Sequence, residues 1–221
     1  METEKKLSEE ESLELIQKMI NKAKGSYYDT GIGPILWGVV ISICSLTTYA
    51  QIHFKFELPF DVWLLTLIAI IPQIFISISE GRKRKVLKYE DNAIMYIWTT
   101  FAFSIFLLIH ININISQSLN PVITEYDKLK TTNSPQAFSY DTYVPSLFLL
   151  LYGIPSILTG AIMQFRAMFY GGFVCWLCCI ISVYTPLSTD MLLMAISSIA
   201  MWLIPGIILR KKYINKKGCD V

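Results

Sequence analysis

Charged residues are scarce in this chain of 221 residues. Asp, Glu, Lys and Arg make up 16% of the sequence, whereas a soluble domain usually contains about 25%. So few charges cannot solvate the surface of an ordinary water-soluble domain, which excludes that class. The formal net charge is only +2, and this value is too small to predict a nucleic-acid partner.

Cysteines are also few, and their positions are informative. Four of the five lie within apolar segments, an arrangement that predicts no disulfide framework. Cys175 and Cys178 have the spacing of a redox or zinc-binding pair. However, Gly171, Cys175 and Cys179 recur every four residues, and such a stripe of small residues favours close helix packing instead.

Only two histidines are present, His53 and His110. Each falls late in an apolar segment, so a haem held by both is conceivable, but no second pair supports it. We expect interfacial histidines. The sequence therefore predicts no cofactor, no metal site and no catalytic residue, and we expect a protein that is not an enzyme.

Long apolar segments are what the chain has in abundance, and their length predicts membrane-spanning helices. The segments contain no Asp, Glu, Lys or Arg; Asp61 and Asp190 only begin segments and Glu80 ends one. We predict an all-α polytopic bundle with a cytoplasmic N-terminal helix and linker (1–30), a transmembrane domain (31–209) and a basic cytoplasmic tail (210–221). The six spans run from about 32–54, 62–79, 93–115, 144–165, 167–187 and 191–209.

The basic residues alternate between the two sides of this arrangement. Of the 19 Lys and Arg residues, only Lys55, Lys128 and Lys130 fall in segments assigned to the outer side. Because cytoplasmic loops carry the excess of Lys and Arg, both termini are predicted to be cytoplasmic in a bacterial inner membrane. Arg82, Lys83, Arg84 and Lys85 anchor this topology, and they are candidates for contact with anionic lipid headgroups.

The segment from Leu7 to Lys24 is predicted to form an amphipathic helix before the first span. Ser8 and Glu11 fit a capping box. Acidic residues load the first turns and lysines the last, which matches the helix dipole and argues against simple adhesion to an anionic membrane. We expect its apolar stripe to dock a cytoplasmic protein partner or a sister subunit; the stripe contains Leu13, Ile16, Met19 and Ile20.

Three predicted spans contain helix-breaking residues. Either the breaks are kinks that neighbouring helices fill, or they line a cavity, as in transporters. The residues concerned are Pro72 and Gln73, Gly153 and Pro155, and Pro205 and Gly206. They are the basis of the alternative function, a small-solute or ion transporter or channel.

Three short motifs resemble a family of uncharacterised small six-span integral membrane proteins from Bacteroidetes-type bacteria. The motifs are Leu7-Ser-Glu-Glu-Glu-Ser-Leu-Glu-Leu-Ile-Gln-Lys-Met-Ile20, Leu36-Trp-Gly38 and Leu203-Ile-Pro-Gly-Ile-Ile-Leu-Arg210. The resemblance implies a bacterial inner membrane and a six-span plan, and it assigns no functional residue. The leading expectation is therefore a non-catalytic membrane protein that acts through its cytoplasmic helix.

The predicted topology can be tested by cysteine labelling of intact cells. In a Cys219→Ser parent, we expect a membrane-impermeant maleimide to label Ser134→Cys, because this residue lies in the predicted outer loop. Lys85→Cys should react only after the cells are permeabilised. Labelling of Lys85→Cys in intact cells would contradict the topology.

Overall fold

The structure is a computed structural model that describes residue 13 and residues 30–83, 89–129 and 140–219. Within these residues all regular structure is helical. The helices are α1 (Ile32–Phe54), α2 (Leu64–Lys83), α3 (Tyr89–Leu129), a 3₁₀ turn (Tyr140–Tyr143), α4 (Val144–Ile162), α5 (Arg166–Ser182), α6 (Leu187–Ser198), a π-helical segment (Ile199–Leu203) and α7 (Ile204–Cys219).

Five helical stretches are long and apolar enough to cross a membrane. They are Ile32–Phe54, Leu64–Arg82, Glu90–Tyr126, Val144–Ile162 and Leu187–Asn215, the last of which joins α6, the π-helical segment and α7. Helix α5 is apolar but has only 17 residues, or about 25 Å of helix. The all-helical prediction is confirmed for the described residues, and five helices of spanning length with one shorter apolar helix are compatible with a multi-pass membrane bundle. The count of six spans stays a prediction.

Helix α3 differs most from its predicted span. The span was expected to end near Ile115, whereas the helix continues to Leu129 and contains 41 residues. Pro121 lies inside this extension. A proline removes one donor from helical hydrogen bonding, and the helix nevertheless continues through Pro121 to Leu129.

The core lies between α1, α4, α5 and the continuous α6–α7 unit. Leu149, Cys175 and Met201 are completely buried at its centre. Helices α2 and α3 lie outside it: in the apolar 18-residue window of each helix, 6% of the residues of α2 and none of those of α3 are buried within the protein. Their exposed side chains are mostly aliphatic or aromatic, which suits contact with lipid.

Glycines permit the closest approaches between helices. A Cβ added at Gly38 of α1 would lie 2.6 Å from the backbone nitrogen of Leu203, and one added at Gly171 of α5 would lie 2.6 Å from the carbonyl oxygen of Ala200. Leu203 and Ala200 both belong to the π-helical segment. In lipid, where apolar surface gives little drive for association, such backbone packing holds helices together.

At one end of the bundle lie the start of α1, the end of α2 and the turn between α4 and α5. Thr30 donates hydrogen bonds from its backbone N–H and its hydroxyl to Oε1 of Glu80. The carboxylate of α2 therefore satisfies a donor just before α1, where the helix N-terminus favours negative charge. Lys212 of α7 lies over the ring of Phe165 in the α4–α5 turn, 5.3 Å from its centroid. We call this region the basic end.

Glycine substitutions test the close backbone contacts. Gly38→Ala should destabilise the protein by about 1–3 kcal/mol, because its Cβ would push α1 away from the π-helical segment. Gly81→Ala is the matched control, since a Cβ there meets nothing within 4 Å, and alanine should stabilise this helix by up to about 1 kcal/mol. Thermal unfolding in detergent measures both; equal effects would contradict the packing.

Candidate functional site

The break in α2 lies at the periphery of the bundle. Pro72 is exposed, whereas Gln73 is half-buried. The amide of Gln73 packs against Gly33 of α1, where an added Cβ would lie 3.3 Å from its Oε1, and its Nε2 donates to the hydroxyl of Ser77 at 3.2 Å. This break thus brings a polar side chain to the α1–α2 contact.

The break in α4 is occupied by the neighbouring helix. Pro155 is completely buried. A Cβ added at Gly153 would overlap the indole nitrogen of Trp176 in α5, and this nitrogen donates to the carbonyl oxygen of Leu150 at 3.2 Å. The indole therefore fills the space beside Gly153.

The break in the α6–α7 unit coincides with a local change of helix type. Ile199–Leu203 is π-helical and ends two residues before Pro205, whose ring would clash with the carbonyl four residues earlier in a regular α-helix. Pro205 and Gly206 are buried. A Cβ added at Gly206 would lie 2.8 Å from the backbone nitrogen of Ile35, so α1 fills this break.

The predicted docking and lipid-contact residues are only partly covered by the structure. Leu13 is helical and 66% of its surface is exposed; Ile16, Met19 and Ile20 lie outside the described residues. Arg82 is exposed near the end of α2, and Lys83 is the last residue of that helix. Arg84 and Lys85 lie outside the described residues, so the predicted headgroup contact stays a prediction.

Aromatic and hydroxyl groups meet at the centre of the core. The indole nitrogen of Trp202 donates to the hydroxyl of Ser156 at 3.1 Å, and that hydroxyl lies 3.2 Å from the carbonyl oxygen of Tyr152. The rings of Tyr152 and Trp202 are 5.2 Å apart. Trp98 of α3 packs against Trp202 with centroids 6.3 Å apart, which attaches the outer helix to the core.

Buried hydroxyl groups continue along the core towards the end opposite the basic end. Ser42 of α1 and Ser198 of α6 are 2.8 Å apart, while Ser146 of α4 and Ser182 of α5 are 3.0 Å apart. The hydroxyl of Ser197 is also buried. The interior of this bundle is therefore markedly polar for a membrane protein.

Asp190 is the functional candidate that the sequence did not reveal. In the sequence, Asp190 lies just at the start of a predicted span. In the structure α6 begins three residues earlier, at Leu187, and Asp190 is completely buried. The hydroxyl of Thr185 donates to its Oδ1. A possible signal was the occurrence of Ser182, Thr185 and Asp190 around one turn, because hydroxyls near a carboxyl group can satisfy it inside a protein.

Comparisons with models of protein families, with curated proteins and with solved structures find no match. The resemblance to small six-span membrane proteins of Bacteroidetes-type bacteria therefore stays a prediction. Any functional conclusion has to come from the residues and their geometry.

A double-mutant cycle tests whether Trp176 fills the break at Gly153. Gly153→Ala alone should cost about 1–3 kcal/mol of stability, because the methyl group displaces the indole. In a Trp176→Ala background the same change should cost much less, since the space is free. Additive effects on thermal unfolding in detergent would show that the two sites do not interact.

Proposed function

We propose that this chain is a non-catalytic integral membrane protein whose N-terminal cytoplasmic helix docks a protein partner or a sister subunit. The observation that carries this proposal is the helix from Leu7 to Lys24 predicted from the sequence, with its acidic start, capping box and apolar stripe. An apolar stripe on a helix in water is stable only when another surface covers it.

The exposure of Leu13 supports this assignment. Leu13 is helical, and 66% of its surface remains accessible in the folded chain. The helices of the bundle therefore leave this apolar side chain largely uncovered. A partner that buries it gains roughly 1–2 kcal/mol from this residue alone.

The packing of the core supports docking over the alternative, a transporter or channel. That alternative depends on helix breaks that line a cavity. Trp176 occupies the space at Gly153, and α1 occupies the space at Gly206. The breaks of α4 and the α6–α7 unit thus have a packing role that needs no transported solute.

The outer helices provide surface for lipid or for a sister subunit. A groove of about 320 Å³ between α3 and α4 is open at the surface and is lined mainly by leucine and isoleucine, including Leu107 and Leu151. Such a groove suits acyl chains or an apolar helix better than a soluble substrate.

We also infer that the chain resides in a bacterial inner membrane with both termini cytoplasmic. The clustering at the basic end supports this orientation: Arg210 and Lys212 of α7 lie near Gly31 and Phe165, respectively. A side of the membrane domain rich in Lys and Arg is typically the cytoplasmic side.

Substitution of the apolar stripe tests the docking function. Tagged protein is purified in mild detergent from its native membranes, and the mass and composition of the complex are measured. We expect deletion of residues 1–24, or Leu13→Glu with Ile16→Glu, to leave membrane insertion intact and to remove the partner. The reason is that charge on the stripe prevents its burial.

The matched control lies on the opposite face of the same predicted helix. Glu14→Gln with Lys18→Gln changes two positions that a helical wheel places away from the stripe, and it should retain the complex. Two differently tagged copies of the chain distinguish a sister subunit from another protein. If wild type and deletion give complexes of the same mass and composition, docking through this helix is wrong.

A further inference from the structure

The carboxyl group of Asp190 is buried without a matching positive charge. Asp190 has no solvent-accessible surface. Its Oδ2 has no hydrogen-bond partner in the described part of the chain, and the interactions that bear on the carboxyl come from hydroxyl groups, with no cationic side chain among them. A buried carboxylate without a counter-charge is strongly unfavourable, so this group holds either a proton or a bound cation.

Hydroxyl groups at the end of α5 and in the turn after it lie at the carboxyl of Asp190, and further oxygen atoms contact those hydroxyls. Thr185 donates to Oδ1, and Ser182 at the end of α5 also interacts with the carboxyl. The hydroxyl of Ser182 is 3.0 Å from that of Ser146 in α4. The carbonyl oxygen of Ile181 lies 3.3 Å from the hydroxyl of Thr185. The surroundings are therefore oxygen ligands of the kind that hard cations prefer.

Two helix ends contribute to the electrostatic potential at the carboxyl of Asp190. Helix α5 ends at Ser182, and the C-terminus of a helix carries partial negative charge from its free carbonyl groups. The N-terminus of α6 offsets part of this, because Asp190 lies near its first turn. The partial charge of a helix end is about half an elementary charge, so the N-terminus of α6 does not replace a full counter-charge.

We propose that Asp190, Thr185, Ser182 and Ser146 form a binding site for one monovalent alkali cation. A single carboxylate supplies one negative charge, which a monovalent ion neutralises, whereas divalent ions in proteins usually recruit more than one carboxylate or several waters. In membrane proteins, ions are commonly held by a carboxyl group together with the carbonyls at helix ends. The site is independent of the docking function proposed above.

The site lies close to the surface at the end opposite the basic end. Thr185, which contacts the carboxyl of Asp190, belongs to the turn between α5 and α6, and Tyr184 in that turn is 85% exposed. Because turns open more easily than packed helices, we expect an ion to enter through this turn. A cation bound there would fasten α4, α5 and α6 together at that end.

Thermal unfolding in detergent tests the site through ligand-linked stability. The full chain is heated in choline chloride and in LiCl, NaCl or KCl at equal ionic strength and at several concentrations. We expect Na⁺ to raise Tm saturably, by about 5 °C relative to choline. Asp190→Asn should abolish this rise and Thr185→Val should weaken it, while Thr185→Ser retains it because the hydroxyl remains.

Asp61→Asn provides the matched control. Asp61 is an exposed carboxylate that accepts a hydrogen bond from the backbone N–H of Trp63 before α2. This variant should retain the full response to Na⁺. Loss of the response in both variants would show a general effect of surface charge and would overturn the site.

Two further outcomes would also overturn the proposal. The first is the same Tm in choline and in all three alkali chlorides. The second is stabilisation by lowering the pH from 8 to 5 with no effect of alkali ions, since Asp190 would then hold only a proton. If Asp190→Asn does not fold, equilibrium dialysis of the wild type with radioactive Na⁺ decides directly: one ion per chain is expected, and none contradicts the site.

Discussion

The bundle depends on the close approach of helix backbones at its glycines. In a bilayer, lipid tails compete with side chains for apolar contact, so association relies on van der Waals packing and interhelical hydrogen bonds. Gly38 and Gly206 bring α1 against the π-helical segment and α7, and Gly171 brings α5 against the same segment. The π-helical segment is thus the place at which the core helices meet.

The same constraint explains why so many polar side chains lie inside. Where backbones approach closely, only small residues fit, and Ser and Cys can still donate to nearby carbonyl groups. The thiol of Cys175 lies 3.2 Å from the carbonyl oxygen of Leu149, and the hydroxyl of Ser42 donates to the carbonyl oxygen of Gly38 at 2.6 Å. The contact with Leu149 supports the interpretation that Cys175 serves the packing between helices.

Asp190 stands apart from these small polar groups because it carries a full charge when ionised. Its neighbours satisfy one carboxyl oxygen and leave the other without a partner among the described residues. At the basic end, Glu80 is held differently, because the backbone and hydroxyl of Thr30 donate to it directly. The two acids thus occupy opposite ends of the bundle: Glu80 accepts hydrogen bonds from Thr30 just before α1, and Asp190 lies in the first turn of α6.

The sequence by itself determined that this is an all-helical membrane protein, because the scarcity of charge and the length of its apolar stretches leave no other way to satisfy the backbone in lipid. It also located the helices α1 and α4 within a few residues. The 41-residue length of α3 was missed, because hydropathy follows the membrane and not the helix, which continues into water. The π-helical segment was not predicted from the sequence either.

Only the tertiary structure decided what fills each helix break and which polar groups are enclosed. The sequence around Gly153 and Gly206 is the same whether these glycines line a cavity or a helix contact. In the structure both lie at contacts, because Trp176 fills the space at Gly153 and α1 fills the space at Gly206. From the sequence, Asp190 was expected only at the start of a span. In the structure it is buried because Thr185, Ser182 and the helices around them surround it. Burial is a property of neighbours brought together in space, and sequence order does not specify them.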